Sequence, residues 1–356
     1  MKSTNHTPDA SVDARLMSAA VNRRFGKPEV VRVEQLPKPS PGSGEVLVRV
    51  HATTVSAADY RARTKDVPPG LRLLSSLTLG FFRPRIRVLG MDVAGVIEDL
   101  GPGVTAFHPG DEVIAMLGGE FGGHAEYVTV AQDAAITLKP ANLSFEEAAA
   151  LVFGGITARA FLDRATLTPG TSVLVNGASG SVGSAAVQLA HHSGARVTAV
   201  CSGGNAELVR SLGADRVIDY TKSDFTRETA RYDIVLDAVG NLPFDRLEPR
   251  IVPGGALLSV MSDLAGVVRA SSRSRRTGKR ITSGNVPFTS EQLAQVAQLA
   301  EAGAFRPVID QTFDLADIAD AHRYVDTGRK KGNVVVRVAT GDSGQTTEET
   351  SRSLSN

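Results

Sequence analysis

The chain has 356 residues and a formal net charge of +1, so its length favours two domains and its charge gives no general attraction to nucleic acid or an anionic membrane. Its single cysteine, Cys201, excludes an internal disulfide and a cysteine-rich zinc site. Residues 1–17 lack the apolar segment of a secretory signal, and no uncharged apolar run reaches the roughly 18 residues of a membrane span. We therefore expect a cytoplasmic protein that is not embedded in a membrane.

The two ends of the chain are polar, and we expect residues 1–17 and 341–356 to be disordered. From residue 18 to 142, short apolar runs alternate with turns rich in Gly and Pro, which predicts a mainly antiparallel β domain of barrel type. Within it, the apolar segment 71–82 is predicted to be a surface loop that could cover a pocket. A helix and a strand within residues 309–340 are assigned to the same domain.

Residues 143–308 show a different rhythm, in which apolar strands alternate with helices. Ser144 and Glu147 have the spacing of a helix capping box at the start of this region. Strand after helix after strand predicts a parallel, doubly wound sheet with right-handed crossovers. The fold class is therefore α/β, with a doubly wound parallel-sheet domain and a second, mainly antiparallel domain.

The motif that organises the chain is VLVNGASGSVGSAAVQLA, at residues 173–190. A buried strand is followed by Gly177, Gly180 and Gly183 and then by good helix formers. Glycines allow the backbone to approach a pyrophosphate closely, and a helix N-terminus attracts the negative charge of the phosphates. The sequence therefore predicts a dinucleotide site at this turn.

The choice of nicotinamide cofactor depends on the end of the second strand of this domain. A site for NAD usually has an acidic residue there, whereas residues 201–205 contain none. Ser202 and Asn205 could bind the 2′-phosphate of NADPH, or they could cap the helix that begins at Ala206. We expect NADPH, because no acidic residue would repel its 2′-phosphate. NADH stays the alternative, because no cation accompanies these two residues.

Several further motifs accompany the glycine turn. They are Gly90-Met-Asp-Val-Ala-Gly95, Pro109-Gly-Asp-Glu-Val113, Gly123-His-Ala-Glu-Tyr127, Gly155-Ile-Thr-Ala158, Leu212-Gly-Ala-Asp215 and Val217-Ile-Asp-Tyr220. Together they resemble the medium-chain dehydrogenase/reductase superfamily, in its zinc-independent, quinone-oxidoreductase-like branch. This resemblance extends over residues 21–338 and implies a Rossmann cofactor domain beside a GroES-like catalytic domain. The branch also implies a homodimer.

The resemblance also implies which residues contact the cofactor. Gly180, Ser181 and Val182 would face the pyrophosphate, and Ser202, Asn205 and Tyr220 would surround the 2′-phosphate. Thr157 would lie near the nicotinamide, with Gly240 and Val260 along the channel. Asn333 stands where relatives usually have a lysine that closes over the nicotinamide.

The positions at which zinc-dependent relatives carry metal ligands hold Ser56 and Met91 here, so we expect no bound metal. Without a metal, a quinone or an α,β-unsaturated carbonyl is an easier substrate than an ordinary ketone, because conjugation spreads the incoming charge. Tyr60 and Ser56 are the candidate hydrogen-bond donors to the substrate. Asp59 is either a proton relay or a carboxylate that caps a loop.

The segment 269–280 contains six basic residues and no acidic residue. It is predicted to be a solvated loop, although a surface for nucleic acid or an acidic partner is the alternative. The function that follows is a zinc-independent, NADPH-dependent reduction of a quinone or enone. The alternatives are a zinc-free NAD(P)-dependent alcohol or carbonyl dehydrogenase, and a cofactor-binding regulatory or RNA-binding protein with little turnover.

Overall fold

The computed structural model describes residues 16–67, 70, 72–261, 263–284 and 286–338. The predicted disordered segments lie outside these residues, with one exception at the N-terminal end. Leu16 and Met17 belong to the first strand, and Met17 is buried there. The first domain therefore begins at least two residues earlier than expected, because the apolar pattern that pairs in this strand already includes them.

The strands are numbered in chain order. They are β1 (Leu16–Asn22), β2 (Val31–Pro37), β3 (Glu45–Val55), β4 (Asp92–Leu100), β5 (Glu112–Met116), β6 (Tyr127–Ala131), β7 (Ala135–Leu138), β8 (Ser172–Asn176), β9 (Arg196–Cys201), β10 (Arg216–Asp219), β11 (Tyr232–Asp237), β12 (Ile251–Ser259), β13 (Arg280–Ser283), β14 (Ile309–Asp314) and β15 (Asn333–Arg337).

The α-helices are numbered in the same way. They are α1 (Ala57–Thr64), α2 (Arg72–Leu79), α3 (Phe145–Leu162), α4 (Ser181–His192), α5 (Ala206–Ser211), α6 (Phe244–Leu247), α7 (Leu264–Thr277), α8 (Ser290–Glu301) and α9 (Ile318–Asp326).

One sheet of the described chain is mainly antiparallel and has the order β14-β15-β3-β4-β5-β7, with β6 paired to β3. Strand β3 runs through its centre, and most of its side chains are buried. The C-terminal strands β14 and β15 pair in parallel and join this sheet through β3. The C-terminal segment therefore completes this sheet. It also brings Gly332 against the turn that follows β8 in the second sheet.

The second sheet is parallel throughout its described strands, in the order β10-β9-β8-β11-β12-β13. The chain builds outward from β8 to one side and returns to continue from β11 on the other. Ligands of such sheets bind beyond the carboxyl ends of the strands at this reversal point. The turn after β8 lies there. The predicted combination of a parallel and an antiparallel sheet is confirmed.

Helix α3 packs between the antiparallel sheet and the helices α4 and α8, and most of its residues are buried. Ser144 and Glu147 form the predicted capping box at its start. Gly154 allows close packing, since a Cβ there would lie 2.6 Å from the backbone oxygen of Ser181. Small residues in α3 thus bring α4 and the turn that precedes it close to the antiparallel sheet.

Two segments predicted as loops are helical. Segment 71–82 contains α2, and segment 269–280 begins within α7. The side chain of Asp263 accepts a hydrogen bond from the Gly266 amide at 2.6 Å, and Gly278 ends α7 with φ +67°. These two caps and the helix propensity of arginine outweigh the charge repulsion that favoured a loop.

Among the described residues, every helix is either too short or too polar to cross a bilayer.

Candidate active site

The glycine turn follows β8 and opens α4, which confirms the predicted strand–turn–helix context. Gly177 has φ +79°, and a Cβ on Gly183 would lie 2.0 Å from the Gly177 oxygen. Gly180 is different, because its backbone is extended and a Cβ there would meet only that oxygen at 3.5 Å. The fold itself requires Gly177 and Gly183, whereas Gly180 leaves open space above the turn.

The first turn of α4 supplies donors for a phosphate. Ser181 and Val182 are its first two residues, and N–H groups at this position of a helix have no acceptor within the helix. The hydroxyl of Ser181 is already used, since it donates to Oδ1 of Asn333 at 2.6 Å. Ser181 and Val182 can therefore offer backbone N–H groups, reinforced by the helix dipole.

A cluster of small polar side chains lies at the end of β9. Nδ2 of Asn205 donates to the hydroxyls of Ser179 at 3.0 Å and of Ser202 at 3.2 Å. Neither Ser202 nor Asn205 caps α5 through its side chain. The structure thus brings the two predicted residues together and adds Ser179, which the sequence analysis missed.

Two charged residues at the end of β10 and in the turn after it adjoin this cluster. Asp219 lies against Gly203, where a Cβ would be 2.5 Å from Oδ2 of Asp219, and Nζ of Lys222 lies 3.9 Å from the same oxygen. Bonds from Thr221 hold the pKa of Asp219 below its usual range. Tyr220, between them in sequence, is 62% exposed. Residues 201–205 contain no cation, and Lys222 comes instead from the turn that follows the neighbouring strand β10.

The opposite end of the site contains an unpartnered hydroxyl. Thr157, on α3, is buried, and its Oγ1 has no hydrogen-bond partner among the described residues. Gly240 and Val260 follow β11 and β12, and both backbone N–H groups bond Asp237, at 3.1 and 2.9 Å. A Cβ on Gly240 would lie 2.6 Å from that of Met261, so this wall is tightly packed.

Asn333 and Gly332 hold the C-terminal segment across the glycine turn. The Gly332 amide donates to the oxygen of Ser179 at 2.8 Å, and Nδ2 of Asn333 donates to the oxygens of Ala150 and Val308. Asn333 is buried, and both polar groups of its side chain are hydrogen-bonded within the protein. Its position therefore indicates a structural link between α3 and α4, and its predicted contact with the cofactor stays a prediction.

The predicted donors from the first domain are bonded to carboxylates. Ser56 caps α1, and its hydroxyl donates to Oδ2 of Asp59 at 2.6 Å. Oδ1 of Asp59 accepts a hydrogen bond from the Gly90 amide, so this buried carboxylate caps two segments. This contact agrees with the interpretation of Asp59 as a capping carboxylate. Tyr60 donates to Asp66 at 3.0 Å, and this bond raises the pKa of its phenol.

A lysine that the sequence analysis did not select enters the same region. Nζ of Lys330 donates to the oxygen of Gly332 at 2.5 Å, and burial of this ammonium lowers its pKa to about 8, although Asp310 and Asp92 act in the opposite direction. Asp92 is fully buried, and desolvation raises its pKa to about 7. Lys330 lies three positions before Asn333, where relatives usually have a lysine. A lysine close to the expected position was therefore the signal in the sequence.

The residues at the expected zinc position do not fit a zinc ion. Both carboxylate oxygens of Asp92 accept bonds from Thr54, at 2.8 and 2.7 Å, and Nε2 of His124 bonds the Thr54 oxygen. Within the described ranges, no three His, Cys, Asp or Glu residues are close enough to hold a metal. Zinc independence stays a prediction that this donor set favours.

The residues do fit a dinucleotide. The turn offers open space at Gly180, the start of α4 offers unused N–H groups, and Thr157 offers an unpartnered hydroxyl in a buried position. The Gly332 amide and the bond from Arg61 to the sulfur of Met261, at 3.1 Å, connect the two sheets on either side. The cleft between the sheets is therefore the candidate active site.

Comparisons with known proteins agree with this geometry. An alcohol dehydrogenase GroES-like domain matches residues 42–140, and a zinc-binding dehydrogenase family matches residues 212–336. The chain is 34% identical to 2-methylene-furan-3-one reductase of Solanum lycopersicum, over 88% of this chain and 76% of the relative. It is 33% identical to the NADPH-dependent alkenal/one oxidoreductase, chloroplastic, of Arabidopsis thaliana, over 93% of this chain and 82% of the relative.

A solved structure shows the same architecture over the whole described fold. The quinone oxidoreductase from Coxiella burnetii superposes with a TM-score of 0.81 at 28% identity and covers 91% of this chain and 100% of its own. The sequence matches, the two family domains and the shared fold all agree. The chain therefore belongs to the medium-chain dehydrogenase/reductase superfamily, in its quinone-oxidoreductase-like branch.

Proposed function

We propose that the protein reduces quinones or α,β-unsaturated carbonyl compounds with NADPH, without zinc. The observation that carries this proposal is the desolvated ammonium of Lys330, which donates to the oxygen of Gly332. The amide of Gly332 in turn bonds Ser179 in the glycine turn, and the donor set at Asp92 does not fit zinc. An ammonium can stabilise the oxyanion of a conjugated substrate. The names of the relatives, which include enone, alkenal and quinone reductases, support the same substrate class.

The nicotinamide, when bound, supplies a hydride to the electrophilic carbon of an enone or to a quinone. The residues of the chain then have two tasks. The wall at Gly240 and Val260 and the hydroxyl of Thr157 orient the ring and exclude water. Lys330 offers positive charge and one proton to the substrate oxygen, and its pKa near neutrality suits general acid catalysis.

Tyr60 and Ser56 are the alternative donors to the substrate oxygen. Each hydroxyl would first have to leave its carboxylate, Asp66 or Asp59. Lys330 is bonded only to a backbone oxygen among the contacts described, so its ammonium keeps donors available for a substrate. We therefore assign the main role to Lys330, with Tyr60 and Ser56 as secondary candidates and Asp59 as a positioning carboxylate.

The preference for NADPH over NADH is proposed from the polar cluster at the end of β9. Ser202, Asn205 and Tyr220 offer uncharged donors, and Lys222 adds the cation that residues 201–205 lack. Asp219 opposes the phosphate, so we expect a preference of about tenfold rather than a thousandfold. Ser202→Asp should reverse it by repelling the phosphate, which dissociation constants for both cofactors would reveal.

Two further proposals concern assembly and location. Strand β13 is one of the two edges of the described parallel sheet, the other being β10, so pairing of two β13 edges would give the homodimer that the resemblance implies. Light scattering in solution tests this. The cytoplasmic location remains a proposal from the sequence, because a relative carries the word chloroplastic in its name.

The direct test of function is the oxidation of NADPH with matched pairs of substrates. We expect turnover with quinones and enones and little with the corresponding saturated ketones, before and after prolonged chelation. The idea is wrong if only saturated ketones or alcohols are converted, or if stoichiometric zinc restores activity after chelation. Binding of NADPH without turnover of any compound would instead favour a regulatory protein.

A further inference from the structure

Two surface segments combine exposed apolar side chains with positive charge. The first is α2 with the following loop, where Leu77, Phe81 and Phe82 are 52, 53 and 94% exposed. The second is α7, where Val268 is 70% exposed. A phenylalanine that is almost fully exposed is unusual, since burial of its ring would be favourable. These side chains therefore need a partner that the described fold does not provide.

The two segments are neighbours in the fold. Gly70, two residues before α2, lies so close to α7 that a Cβ there would be 3.0 Å from Cβ of Leu264. Lys65 bonds the Phe81 oxygen at 2.9 Å, which holds the second end of the first segment near α1. We call α2 with its loop to residue 85, together with the exposed face of α7, the basic apolar surface.

The exposed face of α7 is divided along its length. Gly266 and Ala270 are buried on the inner side, so the outer side begins with Leu264 and Val268 and ends with arginines. Arg269, Arg275 and Arg276 are exposed and have no ion pair among the contacts described. Lys279 and Arg273 are different, since Lys279 pairs with Glu248 and Arg273 lies on the ring of Phe244. Three arginines of the basic segment therefore remain available.

The charge of the basic apolar surface has one sign. No acidic residue occurs between Asp66 and Asp92 or between Asp263 and Glu291. Arg83 and Arg85 add exposed positive charge beside the two phenylalanines. The chain as a whole is nearly neutral at +1, so this concentration of cations is local. Apolar side chains surrounded by arginines are typical of surfaces that lie in the interface of an anionic bilayer.

We propose that the basic apolar surface docks on an anionic phospholipid bilayer, with Phe82 and Val268 in the interfacial layer and the arginines on the headgroups. A second copy of the chain fits less well, because a two-fold contact through this surface would place like charges opposite each other. Nucleic acid fits less well too, since bases could stack on Phe81 and Phe82 but would leave the aliphatic side chains of Leu77 and Val268 in water. This docking is independent of the reaction proposed above.

Sedimentation of the full chain with lipid vesicles tests the proposal. We expect binding to POPC vesicles that contain about 30 mol% POPG, no binding to pure POPC, and release at about 0.5 M NaCl. Arg275→Gln with Arg276→Gln should weaken binding by about thirtyfold, and Phe82→Ser by about tenfold. Turnover of a water-soluble quinone should stay unchanged in these variants, which shows that they fold.

The matched control is Arg210→Gln with Arg306→Gln. Both side chains line one groove near α5, which packs at the opposite edge of the parallel sheet from α7. This pair should bind vesicles as the unchanged protein does. Failure of the unchanged chain to bind anionic vesicles would falsify the proposal, and equal losses in both arginine pairs would do the same. It is also overturned if Phe82→Ser abolishes self-association instead, or if a single-stranded oligonucleotide is bound and vesicles are not.

Discussion

The two sides of the cleft differ in whether their polar groups are already hydrogen-bonded within the protein. On the side of the parallel sheet, the groups are backbone amides and small polar atoms with unused capacity, such as the space at Gly180 and the hydroxyl of Thr157. On the side of the antiparallel sheet, the polar side chains are bonded to one another, as in Ser56 with Asp59 and Thr54 with Asp92. The parallel-sheet side therefore has groups free to bind a ligand, whereas the polar groups of the antiparallel-sheet side are already used within the protein.

Lys330 is the exception on the second side. It comes from the segment that crosses between the sheets, and its contact with the Gly332 oxygen leaves an ammonium in a desolvated place. Burial of a cation near a cleft is unfavourable unless a partner or a function compensates for it. The difference between the sides therefore separates positions that bind the cofactor from the one cation proposed to act on the substrate.

The largest effect is expected at Gly180. Gly180→Val places a side chain where the protein has room but a pyrophosphate would lie, so NADPH should bind at least about 100-fold more weakly. The thermal midpoint should change little, because the backbone at residue 180 is extended with φ −81°. Calorimetric titration and a melting curve measure the two quantities.

Two other glycines serve as controls for that substitution. A Cβ on Gly119 would meet no heavy atom within 4 Å, so Gly119→Val should alter neither binding nor stability. Gly183→Val should destabilise the fold itself, because its Cβ would collide with the Gly177 oxygen. If Gly180→Val bound NADPH normally, the turn would not be the pyrophosphate site.

The second effect is the loss of the ammonium at Lys330. Lys330→Met should lower kcat by about 100-fold, as removal of a general acid does, while the dissociation constant of NADPH changes little. Lys331→Met is the matched control, since the neighbouring lysine is exposed and only its backbone amide is bonded to Asp310. A normal kcat in Lys330→Met would leave Tyr60 and Ser56 as the donors.

The pH profile sharpens the test of Lys330. Burial lowers the pKa of this group to about 8, so its ammonium is protonated below that value and loses its proton as the pH rises through it. The kcat of the unchanged protein should therefore be constant below about pH 8 and fall above it. Lys330→Met should lack this decline. A profile that is identical in both proteins contradicts the assigned role.

The sequence predicted the parallel-sheet side well, because its information is local. The strand, the glycine turn and the helix follow one another within residues 173–190, and each residue type has a direct physical reason. The polar cluster at Ser202 and Asn205 was also predicted, and its two members do contact each other. The antiparallel and parallel sheets were predicted from the period of the apolar residues.

The remaining parts of the site depend on contacts between distant segments. Lys330 reaches the cleft only because β15 pairs with β3, and Lys222 reaches the end of β9 only because β10 lies beside it. The pairing of distant strands determines these contacts, and a single sequence does not show that pairing directly. The helices α2 and α7 were predicted as loops from the apolar composition of segment 71–82 and the positive charge of segment 269–280. The caps of α7 at Asp263 and Gly278 were not recognised in the sequence.

A third prediction concerns Lys222 and the 2′-phosphate. Lys222→Gln removes an exposed cation next to the cluster of Ser202 and Asn205, so binding of NADPH should weaken by about three- to tenfold. Binding of NADH should not change, because it lacks the phosphate. Lys27→Gln, an exposed lysine outside the cleft, should leave both constants unaltered. Equal losses for both cofactors would place Lys222 elsewhere in the site.

The smallest effect is expected at Thr157, and it has two parts with opposite signs. Its Oγ1 is buried and has no partner among the residues that the structure describes, so Thr157→Val removes an unfavourably desolvated group and should raise the free energy of unfolding by up to ~1 kcal/mol. With cofactor present, the lost hydrogen bond should weaken binding by about three- to tenfold. Valine and threonine have similar shapes and helix propensities, so packing in α3 should be preserved.

The matched control for Thr157 is Thr327→Val, because the hydroxyl of Thr327 donates to the Tyr324 oxygen at 2.7 Å outside the cleft. That substitution should lower stability slightly and leave cofactor binding unchanged, since it removes a satisfied bond away from the ligand. Chemical unfolding and titration with NADPH on both variants give the four values that decide the question. If the hydroxyl of Thr157 bonds only the cofactor, Thr157→Val should raise the free energy of unfolding and weaken the binding of NADPH. If Thr157→Val instead weakens both, the hydroxyl has a partner within the folded protein and the nicotinamide end of the cleft must be assigned to other residues.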